Sequence, residues 1–135
     1  MFMKKVLITV AVIAIVSLSF TSCKKEKART TSEKIVGVWH LNNYIYNEHY
    51  DGADHLENNS GGPNDTYEFK ANGTVNSNVG GSSDSSSYSI VGDNKLLITE
   101  DENYDIKKLD DHNLVLYFKE MDGDEFVEIT ITLTR

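Results

Sequence analysis

Short runs in which apolar and polar residues alternate fill most of this chain, and they constrain its fold more than any other feature. The clearest run is 125–135, EFVEITITLTR, and similar runs occupy 66–70, 94–99 and 112–119. These runs are rich in Val, Ile, Thr, Tyr and Phe, and an alternation of period two predicts half-buried antiparallel strands. A sustained helical stripe is missing from the sequence, although one helical turn around 31–36 fits the capping pattern.

The spacing of these runs predicts an all-β fold with eight strands. The connections alternate between tight turns, such as 70–73 and 91–94, and longer or more acidic segments, such as 48–64. Because every second connection of a meander falls at the same end, one end would be closed by hairpins and the other ringed by loops. This arrangement predicts an eight-stranded antiparallel up-and-down β-barrel. The predicted strands are 36–47, 65–70, 73–79, 86–91, 94–100, 103–109, 112–119 and 125–134.

The N-terminal segment has the pattern of an export signal. Two lysines precede an apolar run that ends in small residues and Cys23, the only cysteine in the chain. This pattern resembles the lipobox of bacterial lipoproteins, in which the signal is cut before the cysteine and the cysteine is acylated. The sequence therefore predicts a signal peptide at 1–22, a lipidated tether at 23–34 and a folded domain at 35–135. The resemblance implies a cell-envelope protein anchored by Cys23, on the outer membrane and in an undefined leaflet.

Charge is distributed unevenly in the predicted domain. The chain carries 13 basic and 21 acidic residues. Residues 35–135 hold 6 of the basic and 19 of the acidic ones, a net charge of −13. Such a domain is a poor partner for nucleic acid, whose binding depends on Lys and Arg. Most carboxylates fall in the open-end connections, which form either a solvated acidic rim or an ion site; the Ca²⁺ candidates are Asp122, Asp124 and Glu125.

Three sequence features together resemble the bacterial lipocalin-like lipoproteins. They are Gly37-Val-Trp39 at the start of the first strand, Tyr67-Glu-Phe-Lys-Ala-Asn-Gly-Thr-Val75, and the closing Thr-Leu-Thr-Arg135. The resemblance implies a calycin-type barrel in which an arginine stacks near the tryptophan. Strand order also places Trp39 and Arg135 at the same hairpin end. We therefore expect a structural cation–π closure between them.

The alternation also predicts which side chains point into the barrel at its open end. These candidates for a ligand site are Ile45, Tyr67, Tyr88, Tyr104, Phe118 and Val127. They would either form an amphipathic pocket or fill the barrel as core. The long loop 51–65 would act as a lid, with Leu56 as its sole large apolar residue.

The sequence indicates a protein that is neither an enzyme nor a cofactor carrier. It contains no G-x-S-x-G elbow, no Walker loop and no dinucleotide fingerprint. Two functions remain open. One is an anchored, monomeric carrier of a small hydrophobic or amphipathic ligand. The other is an accessory envelope lipoprotein with a filled barrel, whose acidic rim meets a protein partner or Ca²⁺.

Overall fold

The computed structural model describes residues 27–99 and 102–135. The predicted signal peptide at 1–22, the acylation site Cys23 and the first part of the tether lie outside these residues. In the part that the structure describes, no helix is long and apolar enough to cross a membrane.

One short helix and nine strands make up the described chain. The helix, α1, is Thr31–Ile35. The strands are β1 Gly37–Tyr50, β2 Ala53–Ser60, β3 Thr66–Phe69, β4 Thr74–Val79, β5 Ser82–Val91, β6 Lys95–Ile98, β7 Glu102–Leu109, β8 Asn113–Asp122 and β9 Glu125–Thr134.

Eight of these strands close into an antiparallel up-and-down barrel, which confirms the predicted fold class. The sheet order is β2-β1-β3-β4-β5-β6-β7-β8-β9, and β1 also pairs with β9. The ninth strand, β2, is an addition to the barrel. It pairs with residues 43–50 of β1, whereas β3 pairs with residues 37–40 of the same strand.

The predicted long loop at 48–64 is wrong, because most of it is a hairpin. β1 continues to Tyr50, and β2 returns along it after a turn at Asp51 and Gly52. All eight residues of β2 are exposed, so neither face needs apolar side chains and no alternation marks the strand. Leu56 is 66% exposed on this hairpin and does not enter the barrel.

The helix and a tryptophan–arginine pair close the end of the barrel opposite the β1–β2 hairpin. The Trp39 side chain is fully buried, and its indole Nε1 donates a 2.8 Å hydrogen bond to the carbonyl of Ile35. The Arg135 guanidinium lies over the Trp39 ring at 4.1 Å and donates to the carbonyls of Lys34 and Val36. Gly37 between them has φ of +133°, and a Cβ there would lie 3.0 Å from the Arg135 side chain. The glycine of the Gly-x-Trp pattern therefore allows both the positive φ and the close packing of Arg135 at this end.

A β-bulge between Leu41 and Asn43 changes which side of β1 faces the interior. Leu41 lies opposite Leu133 of β9, but beyond the bulge Tyr44 lies opposite Ile131. Gly61, which follows β2, packs closely against the backbone of β1 at this level. A Cβ on Gly61 would lie only 1.8 Å from the Leu41 carbonyl oxygen, so this close contact requires glycine.

The core fills the closed half of the barrel. Its buried members come from the helix and from seven of the barrel strands, and all of them are aliphatic or aromatic. They are Ile35, Trp39, Leu41, Phe69, Val75, Leu96, Tyr104, Leu114, Leu116, Ile131 and Leu133. The interior is thus filled near the helix, and a cavity within the barrel has room only at the opposite end.

Candidate functional site

A cavity of about 310 Å³ opens at the end of the barrel away from the helix. Its lining residues come from seven of the eight barrel strands, so it occupies the barrel mouth and is not a groove on the outside. Its volume reaches the lower end of the range of small-ligand pockets, about 300–1,000 Å³. The lining residues are Tyr44, Tyr67, Val75, Ser77, Asp84, Ser86, Ile98, Thr99, Glu102, Tyr104 and Ile131.

Three tyrosines form the aromatic wall of this cavity. Tyr67 comes from β3, Tyr104 from β7 and Tyr44 from β1. Tyr104 is only 6% exposed, and its ring packs against Phe118 with 5.7 Å between the ring centroids. Since Phe118 supports Tyr104 without lining the cavity itself, the wall is backed by the core.

Of the six candidates predicted from the alternation, the structure brings Tyr67 and Tyr104 together at the cavity. Tyr88 also points inward, but toward the closed end. Its hydroxyl donates to the Lys70 carbonyl at 2.8 Å, and its ring meets Phe69 edge-on at 5.1 Å. Tyr88 therefore does not line the cavity, although it lies opposite Ile98, which does.

The inward orientation predicted for Ile45 is wrong. Ile45 pairs with Thr130, on the outer side of the sheet, because the bulge at residues 41–43 shifts the alternation by one residue. Val127 keeps the inward orientation, but it lies opposite Glu48 and Glu120, in a separate hollow of about 150 Å³.

Tyr44 is the tyrosine of the cavity wall that the sequence reasoning missed. It takes the inward position that had been assigned to Ile45. The signal was present in the sequence, because Asn42 and Asn43 stand together between the inward residues Leu41 and Tyr44. Two consecutive polar residues inside an alternating strand are what a bulge produces.

Polar groups form the upper ring of the cavity. Glu102 lies opposite Ile98 on β6 and accepts a 3.4 Å hydrogen bond from the Tyr104 hydroxyl. Asp84 lies opposite Ser77 and accepts a 3.3 Å hydrogen bond from the Ser86 hydroxyl. The mouth thus combines an apolar floor, phenol hydroxyls and two carboxylates.

The surroundings of the cavity raise the pKa of each of its three tyrosine hydroxyls. Burial, followed by the charge of Glu102, raises the pKa of Tyr104 well above its ordinary value. Burial also raises the pKa of Tyr67, with further contributions from Tyr44 and Glu102. The pKa of Tyr44 is raised by burial and then by Glu57 and Glu102. All three phenols are therefore protonated at neutral pH and can donate hydrogen bonds. The charge of Glu102 contributes to the raised pKa of each.

The Ca²⁺ candidates do not converge on one point. Asp122 and Glu125 face each other across the β8–β9 hairpin, with Asp124 in its turn. Within residues 27–99 and 102–135, no group of three or more His, Cys, Asp or Glu side chains is arranged to hold a metal ion, and these three are no exception.

A family model described as a lipocalin-like domain matches residues 35–127. The chain belongs to this lipocalin-like family. The match covers more than two thirds of the chain and runs from the buried end of α1 into β9. No curated protein and no solved structure matches the chain significantly.

Family membership and geometry agree on the general nature of the site. A lipocalin-like barrel indicates ligand binding in general, and the lipocalin-like family is generally not enzymatic. In this lipocalin-like domain, the closed end of the barrel is filled, and the open-end cavity is the space that residues from seven barrel strands enclose.

Proposed function

We propose that this protein is a non-catalytic, lipid-anchored binding protein of the cell envelope that holds one small amphipathic ligand in its open-end cavity. The observation that carries the proposal is the cavity of about 310 Å³, with three tyrosines on its wall and Val75, Ile98 and Ile131 below them. Apolar walls with a few hydroxyls are the usual composition of a small-molecule site. A cavity of this size suits one compact molecule.

The anchor is the second part of the proposal, and it rests on the sequence around Cys23. Cleavage before this residue and acylation would hold the domain on the outer membrane of a bacterial envelope as a monomer, with the tether between lipid and barrel. Several acyl chains, at about 0.8 kcal/mol per buried CH₂, form a firm anchor. Intact-mass measurement of the protein from a bacterial host should show the acylated mass, and Cys23→Ala should abolish it. An unmodified Cys23 would contradict the anchor without affecting the cavity.

Native mass spectrometry tests the binding function. The full-length protein, extracted in detergent, would be measured before and after removal of small molecules with organic solvent. We expect one discrete bound molecule that disappears on extraction.

A matched pair of variants connects this molecule to the cavity. Ser86 faces the cavity opposite Val75, whereas its neighbour Ser85 faces outward opposite Asn76. We expect Ser86→Phe to fill the cavity and eliminate the bound molecule, and Ser85→Phe to retain it. A protein that carries no ligand in either form, and binds none when ligands are added, would favour the alternative of an accessory lipoprotein that meets a protein partner.

A further inference from the structure

We propose that the open-end cavity selects a small organic cation, such as a primary amine or a quaternary ammonium attached to a compact apolar body. This inference rests on the proposed binding function and specifies the chemical class of its ligand. It follows from the placement of charge on the inner and outer faces of the barrel.

The basic side chains of the domain all lie away from the inner face of the mouth. Residues 35–135 contain six Lys or Arg, and each has a partner on the outer face or at the closed end. Lys70 pairs with Glu68, Lys95 and Lys107 with Asp105, Lys108 with Asp110, Lys119 with Glu128, and Arg135 stacks on Trp39. The lysines thus pair with four carboxylates that lie outside the mouth, those of Glu68, Asp105, Asp110 and Glu128.

The carboxylates of the inner face have no such partners. Glu102 and Asp84 line the cavity, and within the described residues neither forms a salt bridge. Glu48 and Glu120 continue the same face above the mouth, since both lie opposite Val127. A concave surface that carries charge of one sign concentrates its field, so a cation is attracted into this mouth and an anion is repelled.

The aromatic wall suits the same charge. Tyr44, Tyr67 and Tyr104 present three electron-rich rings around one space, and a cation near such rings gains about 0.5–2 kcal/mol per contact. The elevated pKa of each phenol keeps it neutral, so the hydroxyls can donate to or accept from a ligand.

An anionic ligand meets the opposite conditions. A fatty-acid carboxylate in the cavity would lie near Glu102 with no Lys or Arg of the described chain beside it, and an unpaired buried charge is costly. The volume is also limiting, because about 310 Å³ corresponds to roughly ten water molecules at about 30 Å³ each. The charge around the cavity and its volume therefore both favour a short cation over a long-chain acid.

Calorimetric titration with three probes of nearly equal size tests the inference. Phenethylamine is a cation, 2-phenylethanol is neutral and phenylacetate is an anion. With the full-length protein in detergent at neutral pH and low salt, we expect the amine to bind at least about tenfold more tightly than the alcohol, and the anion more weakly than both.

Variants separate charge from shape in this titration. Glu102→Gln should weaken the amine about tenfold and leave the alcohol unchanged, and Asp84→Asn should act in the same direction. Glu68→Gln on the outer face is the matched control and should change neither affinity. Equal affinity for all three probes, or preference for the anion, would overturn the cation inference while leaving the binding function intact. No binding of any probe overturns it as well, and the native mass spectra then decide whether the cavity binds anything.

Discussion

Replacing Arg135 should destabilise the barrel more than replacing any exposed surface charge. Its guanidinium stacks on Trp39 at 4.1 Å and donates three hydrogen bonds of 3.0 Å, to the carbonyls of Lys34, Val36 and Asp111. Each bond contributes about 0.5–1 kcal/mol at this solvent-accessible position, and the cation–π contact about 0.5–1 kcal/mol. We therefore expect Arg135→Ala to lower the free energy of unfolding by about 2–4 kcal/mol.

The measurement is urea unfolding followed by the fluorescence of Trp39, the only tryptophan in the chain. In a domain of this size, the expected loss corresponds to a fall in Tm of about 10–25 °C. Arg135→Lys should retain the charge but lose the planar fork of donors, and so restore only about half of the loss.

Lys95→Ala serves as the control, because Lys95 is an exposed cation whose only salt-bridge partner among the described residues is Asp105. Its effect should stay within about 0.5 kcal/mol. If Arg135→Ala were as mild as this control, the hydrogen bonds and the stacking would not stabilise the closed end, and the argument would be refuted. If Arg135→Lys matched the native protein, charge alone would account for the effect.

Two further predictions concern the close contact of Gly61 with β1 and the turns at the open end. Gly61→Ala should lower the free energy of unfolding by about 1–3 kcal/mol in urea melts, because the new Cβ would lie 1.8 Å from the Leu41 carbonyl oxygen; unchanged stability would show that the backbone at this contact can separate freely. Hydrogen bonds from the amides of Gly62 and Gly80 lower the pKa of the Asp65 carboxyl below its ordinary value of 3.8. The ionised Asp65 carboxylate therefore contributes its full stabilisation above the ordinary pKa of 3.8, and this stabilisation is lost as the pH falls through the lower pKa of the folded state. The native protein should thus be more stable than Asp65→Asn by a margin that shrinks from about pH 5 to about pH 2. An advantage that does not change with pH would contradict this assignment.

Regular alternation was sufficient to predict the barrel and its closed end. All eight predicted strands recur, and each observed strand end lies within four residues of its predicted position. Tyr67 and Phe69 lie two residues apart on β3, so the period of two places both on the inner face of the barrel. The same rule located Tyr67 and Tyr104 at the mouth.

The alternation of apolar and polar residues gave wrong predictions where backbone geometry, and not burial, determines the structure. β2 is formed by backbone pairing of the mostly polar residues ADHLENNS, so its sequence carries no alternation of apolar and polar residues. The bulge after Leu41 places Tyr44 inside and Ile45 outside, and only the register with β9 reveals the shift. The direction of the Tyr88 side chain depends on a hydrogen bond to Lys70, a partner 18 residues away.

By itself, the sequence determined that the domain is an acidic, all-β barrel with a tryptophan near its first strand and an arginine at its last residue, because composition and alternation are local properties. Only the tertiary structure decided which tyrosines share a cavity. It also places in that cavity Asp84 and Glu102, which form no salt bridge within the described residues, while the lysines of residues 35–135 lie outside it. These facts depend on strand register and bulges, which bring together residues far apart in the chain and which no local pattern records.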